Sequence, residues 1–159
     1  MMDTKQYLAN VARFAAQAVA RTAPFVPENK RNWSPMGAAR TTTDMVQECA
    51  EALEIATKFM QTSQFARPDA QARAARAELL KKNPPKLEEL FPRLQKAADE
   101  YAQALEKFPA ERLMEMVPSP FGGEPRPLLM QLSMPVFNMM YHYGQINYIQ
   151  TMLGDTEMH

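Results

Sequence analysis

Apolar residues recur at helical spacing in four long stretches of the chain. In the first, Tyr7, Val11, Phe14, Ala15, Ala18 and Thr22 form a stripe, with Lys5, Arg13 and Arg21 off it. This predicts a helix over 4–22, ended at Thr22-Ala23-Pro24 because the residue before a proline disfavours the α region. Thr41-Thr42-Thr43-Asp44 is a run of helix N-cap residues. It opens a second predicted helix over 41–62, with Met45, Cys49, Ala52, Leu53, Ala56, Phe59 and Met60 inward. Glu51, Glu54 and Lys58 face outward, and Glu48 sits on the flank of the apolar arc. A third helix is predicted over 87–108 from Leu87, Leu90, Leu94, Ala97, Ala98, Tyr101, Leu105 and Phe108, with Pro92 placed to bend it.

The fourth helix, predicted over 128–153 and closed by Gly154-Asp155, breaks the pattern. At 100° per residue Ile146, Ile149, Met152 and Leu153 share one face, with Tyr141 and Tyr148 at its edge. Asn138, His142 and Gln145 fall in the middle of that same face. A buried amide or imidazole without a partner costs about 1–3 kcal/mol, so this row must be hydrogen-bonded, hydrated or metal-bound. Val136 and Met140 fall on the outer side of the helix, and Pro135 is placed to kink it or offset its start.

Between the long helices, Phe25 to Pro35 reads as a crossover loop pinned to the core by Trp33, the only tryptophan. Residues 67–82 read as a short surface helix. Its Arg73, Arg76, Lys81 and Lys82 lack interleaved aromatics, as a solvated face does and a nucleic-acid site does not. Residues 109–127 read as a loop with a tight turn at Gly122-Gly123. It is no phosphate cradle, since no Gly-x-Gly or Gly-Lys-Ser follows a strand.

The 159 residues suffice for one domain with a real core, spanning 1–159. Four amphipathic segments, no predicted strand and no repeat give an all-α four-helix bundle with at least one long crossover and an extra short helix. A formal net charge of zero gives no global attraction to nucleic acid or anionic lipid. No apolar run spans a membrane, and no signal peptide is recognisable. With the single Cys49, read as a buried structural thiol, this predicts a cytoplasmic protein. Only His142 and His159 are histidines, so one chain cannot build a three-His site.

The order Asn32-Trp33-Ser34-Pro35, a capped helix, then Tyr141-His142-Tyr143-Gly144-Gln145-Ile146 resembles the DinB/YfiT-like superfamily, over about Tyr7 to Asp155. The resemblance implies an up-up-down-down four-helix bundle, often a homodimer. Many members hold zinc or nickel through three histidines. Some are thiol-dependent transferases or isomerases acting on small molecules. By position the triad here would read Glu48, Asn138 and His142, with Gln145 and Tyr141 beside it in a pocket at one end of the bundle. A side-chain amide is a poor ligand for zinc or nickel. Three readings follow: a metal-depleted hydrogen-bonded pocket, a weaker Glu/His metal site completed by water, or satisfied core polar groups with no ligand role. A transferase or hydrolase would use Glu48 as ligand or base and His142 as ligand or acid/base, with Tyr141 or Tyr143 donating to an oxyanion. A non-catalytic module would hold a small ligand or pair with a second copy through Val136 and Met140.

Overall fold

The structure, a computed structural model, describes residues 3–64, 70–119 and 122–159. The side chains of Arg73 and Lys81 lie outside that description, as do the first residues of the short helix expected from 67. Five helices are α1 (Thr4–Thr22), α2 (Thr42–Thr62), α3 (Ala70–Lys82), α4 (Leu87–Lys107) and α5 (Leu128–Met152). The four long ones share a single core. Each of α1 and α2 packs against both α4 and α5, while α1 and α2 scarcely touch. Among the described residues no helix is long and apolar enough to cross a membrane.

End-to-end contacts fix the helix directions. At the start of α1, the Lys5 ammonium donates to the carbonyls of Glu106 and Phe108 at the end of α4, at 3.0 and 2.9 Å. At the other end of α1, Thr22 meets Asn147 and Gln150 near the end of α5. Arg31, whose carbonyl accepts from Thr43 at the start of α2, pairs with Glu88 at the start of α4. The long helices therefore run up, down, down, up. This differs from the up-up-down-down order expected from the resemblance. The cause is α3, which carries the chain back along α2 so that α4 starts again from the same end.

Local chemistry explains most boundaries. Thr41 caps α2 in a reciprocal box: its hydroxyl accepts from Asp44 N–H at 3.1 Å, and the Asp44 carboxylate accepts from Thr41 N–H. Ser63 ends the helix in the left-handed conformation. The expected stripe of α4 is buried in full. Pro135 brings no N–H to α5, so the Gln131 carbonyl four residues back loses its helical donor. One residue on, the Leu132 carbonyl accepts from the buried Tyr101 hydroxyl of α4.

Several expectations fail. In α1 the buried face is Leu8, Ala9, Ala12, Ala15, Ala16, Ala18, Val19 and Thr22, so Ala15, Ala18 and Thr22 of the expected stripe are buried while Tyr7 and Phe14 are each 59 % exposed. Small alanines let the neighbouring backbones approach, and this turns the bulky rings out. Trp33 does not pin its loop; it is exposed, with the Lys30 ammonium over its ring at 5.6 Å. The 109–127 segment is more than a loop. A 3-10 turn at Ala110–Met114 leads into a two-residue antiparallel ladder, Met116–Val117 (β1) with Arg126–Pro127 (β2). Gly122 and Gly123 take positive φ there, as the expected tight turn requires.

Candidate functional site

The polar row of α5 does meet Glu48. His142 is 1 % exposed, and Glu48, Asn138 and Gln145 lie half-buried around it. Residues four apart on α5 stack Asn138 and His142 on one face, and α2 packs against that face. Gln145 takes the third place at 2.7 Å from His142 Nδ1. The Asn138 amide Nδ2 lies 3.3 Å from His142 Nε2 and 3.4 Å from Glu48 Oε1. Turning that amide over would set its oxygen against the carboxylate, so the NH2 faces Glu48. In the neutral ring it then donates to Nε2 and the imidazole proton sits on Nδ1, donated to the Gln145 carbonyl oxygen, whereas a protonated ring turns an Nε2–H toward Glu48.

Arg40 closes the cluster. It precedes the cap of α2, and its Nη1 reaches Glu48 Oε2 at 2.5 Å. Glu48 Oε2 and His142 Nε2 stand 3.7 Å apart, an ion-pair separation beyond hydrogen-bond range. The Glu48 carboxyl is held below its ordinary range. The neighbouring His142 is the largest cause; burial opposes it, and the Arg40 charge and the Asn138 amide add to it. Cys49, the next residue, is fully buried; burial and the Glu48 charge push its thiol up to about 12, so it is inert as a nucleophile at neutral pH.

These residues do not fit a zinc or nickel ion. Two ligands on one tetrahedral ion stand roughly 3.4 Å apart, so the 3.7 Å gap alone would serve. The donors are the obstacle. Arg40 already holds Oε2 with a permanent positive charge, and Asn138 turns its NH2, not its oxygen, toward the gap. Among the described residues no group of three His, Cys, Asp or Glu side chains could hold a metal.

Three expectations about the surroundings change. Tyr141 is not a pocket wall: its ring is tilted against His142 at 5.4 Å but is 64 % exposed. Val136 is buried, so only Met140 of the expected outward pair faces solvent. Tyr143, a candidate oxyanion donor, is half-buried and donates its hydroxyl to the His159 carbonyl at 3.4 Å. A groove of about 640 Å³ lies elsewhere, between the C-terminal halves of α2 and α4, and none of the four cluster residues lines it.

Sequence reasoning missed Arg40 and Gln150. Arg40 stands just ahead of the capping box, eight residues before Glu48, and its long side chain spans the two helical turns between them. Gln150 is 2 % exposed and donates to the Thr22 carbonyl at 2.7 Å, meeting one of the last-turn acceptors of α1. It falls on the buried side of α5, a signal equal to that which singled out His142. No protein-family model matches the chain, and no curated protein matches it.

Proposed function

We propose that this is a DinB/YfiT-like four-helix protein in which an arginine–carboxylate pair stands where relatives hold a divalent metal. It acts by holding a small ligand or a protein partner, without metal chemistry. The observation that carries this reading is Arg40 on Glu48 Oε2 at 2.5 Å, the same oxygen that stands 3.7 Å from Nε2 of the buried His142. A guanidinium cannot give up its proton at any relevant pH. Its charge therefore opposes a second cation at Glu48 Oε2. Asn138 and Gln145 then satisfy the two imidazole nitrogens.

A second reading, a thiol-dependent transferase with a weak Glu/His metal site, is favoured by two atoms. Asn138 Oδ1 and Glu48 Oε2 are both buried without a hydrogen-bond partner. Were a divalent ion bound, Glu48 and His142 would hold it and it would supply Lewis-acid activation of a thiol or water.

The test restores the imidazoles. Glu48→His with Asn138→His places three histidines at the family positions. On the proposed reading that variant binds nickel or zinc at least ~100-fold more tightly than the parent, whose binding is weak, because imidazoles replace an amide and an arginine-bound carboxylate. Calorimetry on both proteins reads this out. A parent that binds one equivalent in the nanomolar range would favour the transferase. A double variant that binds nothing would remove the DinB/YfiT-like alignment of these positions.

A further inference from the structure

The groove between the C-terminal halves of α2 and α4 lies apart from the His142 cluster. Thr57 on its wall comes nine residues after Glu48, about 13 Å further along α2. At about 640 Å³ the groove has the size of a small-molecule site. α2 and α4 run in the same direction, so their residues line it in step. Glu54, Thr57 and Lys58 of α2 stand beside Glu100, Gln103 and Lys107 of α4. Charge is therefore ordered along the groove, with both acids one or two helical turns ahead of the lysines.

The acids are matched and the lysines are not. Arg93 grips Glu54 with two hydrogen bonds of 2.7 Å, and Lys96 stands 3.7 Å from Glu100. Among the described residues, the ammonium groups of Lys58 and Lys107 have no hydrogen-bond or ion-pair partner. Thr57 adds a hydroxyl that the fold does not use. The residue is 7 % exposed, and its Oγ1 is buried without a partner. A buried hydroxyl left unpaired is a net cost to the fold, and a valine would fill the same space without it. The free carbonyls at the ends of α2 and α4 would repel an anion, but they are partly covered. The Lys5 ammonium takes the carbonyls of Glu106 and Phe108, and the Thr62 hydroxyl donates to that of Lys58.

We propose that this groove binds a small monocarboxylate with an apolar tail. The carboxylate accepts from the Thr57 hydroxyl and from the ammonium groups of Lys58 and Lys107, and the tail lies against Met60, Ala104 and Phe108. A phosphate suits the groove less well. Among the described residues no arginine lines it to offer a bidentate fork. Helix C-termini present carbonyls, not the free N–H groups that cradle a phosphate. Glu54 and Glu100 repel a second carboxylate at the far end, which leaves that end of the ligand uncharged. The site stands whether or not the Glu48 cluster holds a metal.

Calorimetry with sodium octanoate tests this. The parent should take up one equivalent with a dissociation constant on the order of 100 μM, a reasonable affinity for so small a ligand. Octylamine and inorganic phosphate at the same concentrations should not bind. Lys58→Met combined with Lys107→Met should weaken octanoate at least ~10-fold, with far-UV circular dichroism that of the parent. Thr57→Val should weaken it roughly 5-fold yet unfold in urea no earlier than the parent, as expected of a hydroxyl that serves a ligand and not the fold. Ala104→Trp, which fills the groove, should abolish binding, and Phe137→Ala on the exposed side of α5 should leave it unchanged. Octanoate that fails to saturate below about 5 mM would overturn the proposal. So would equal binding of octylamine, or a double lysine variant that binds as the parent does. Loss of binding in Phe137→Ala but not in Ala104→Trp would place the carboxylate on α5 and overturn the groove. A Thr57→Val chain that loses stability would make that hydroxyl structural and overturn its part in the site.

Discussion

α4 and α5 are the two faces of one lesson in reading a helix. α4 obeys the simple rule: every apolar position of its stripe is buried, and its outer side carries Glu88, Glu89, Arg93, Lys96, Asp99 and Glu100. α5 breaks the rule on both sides. It buries Gln131, His142 and Gln150, and it exposes Phe137, Tyr141 and Tyr148. A helix whose polar and apolar residues agree with its burial is explained by its own fold. One that disagrees is shaped by something further, and disagreement of this kind gathers at functional sites.

The largest expected effect tests whether the two stripes differ in kind. Leu94, fully buried on α4, should cost about 3 kcal/mol as Leu94→Ala. Tyr148→Ala on α5 should change the stability of the chain by less than ~0.5 kcal/mol. Urea denaturation at submicromolar concentration measures both. Equal losses would make the α5 stripe core.

Next is the bond that ties the two helices across the core. Tyr101→Phe removes the donor to the Leu132 carbonyl beside the Pro135 break, and should cost about 1.5 kcal/mol by the same denaturation. Burial already holds the Tyr101 hydroxyl well above its ordinary range, so the loss should not change between neutral pH and pH 9.

Glu48→Gln is a smaller effect, about 1 kcal/mol at neutral pH, because Arg40 is exposed and the pair is partly screened. Its pH dependence is more telling. The folded-state Glu48 carboxyl lies below its ordinary 4.5, so its stabilisation is fully present above that pH and is lost as pH falls through the lower folded value. The parent should thus lose stability faster than the variant as the pH falls below 4.5. Parallel acid limbs would mean that Glu48 is not held by its neighbours.

Gly144→Ala should be the smallest and opposite in sign. It should stabilise the chain by about 0.5–1 kcal/mol, because an added Cβ meets no atom within 4 Å.

What the sequence revealed follows from the same contrast. The α4 stripe and the capped start of α2 were legible because local pattern and burial agree there. The Tyr7 and Phe14 stripe of α1 misled because alanine has little hydrophobic signal of its own, yet a face of alanines is what packs closest. The cluster at His142 was legible as a polar row on a buried face. Its closure by Arg40 was not, because that contact depends on how the loop enters α2 and not on any period. The β1–β2 ladder was hidden because two-residue strands leave no alternation to read.

The central claim is that Arg40 and Glu48 occupy the place of a metal inside α5's polar face. Elemental analysis of the parent, purified without chelator, tests it most directly. The account predicts zinc and nickel together far below one equivalent per chain. A full equivalent of either, lost on Glu48→Gln or His142→Ala, would contradict it.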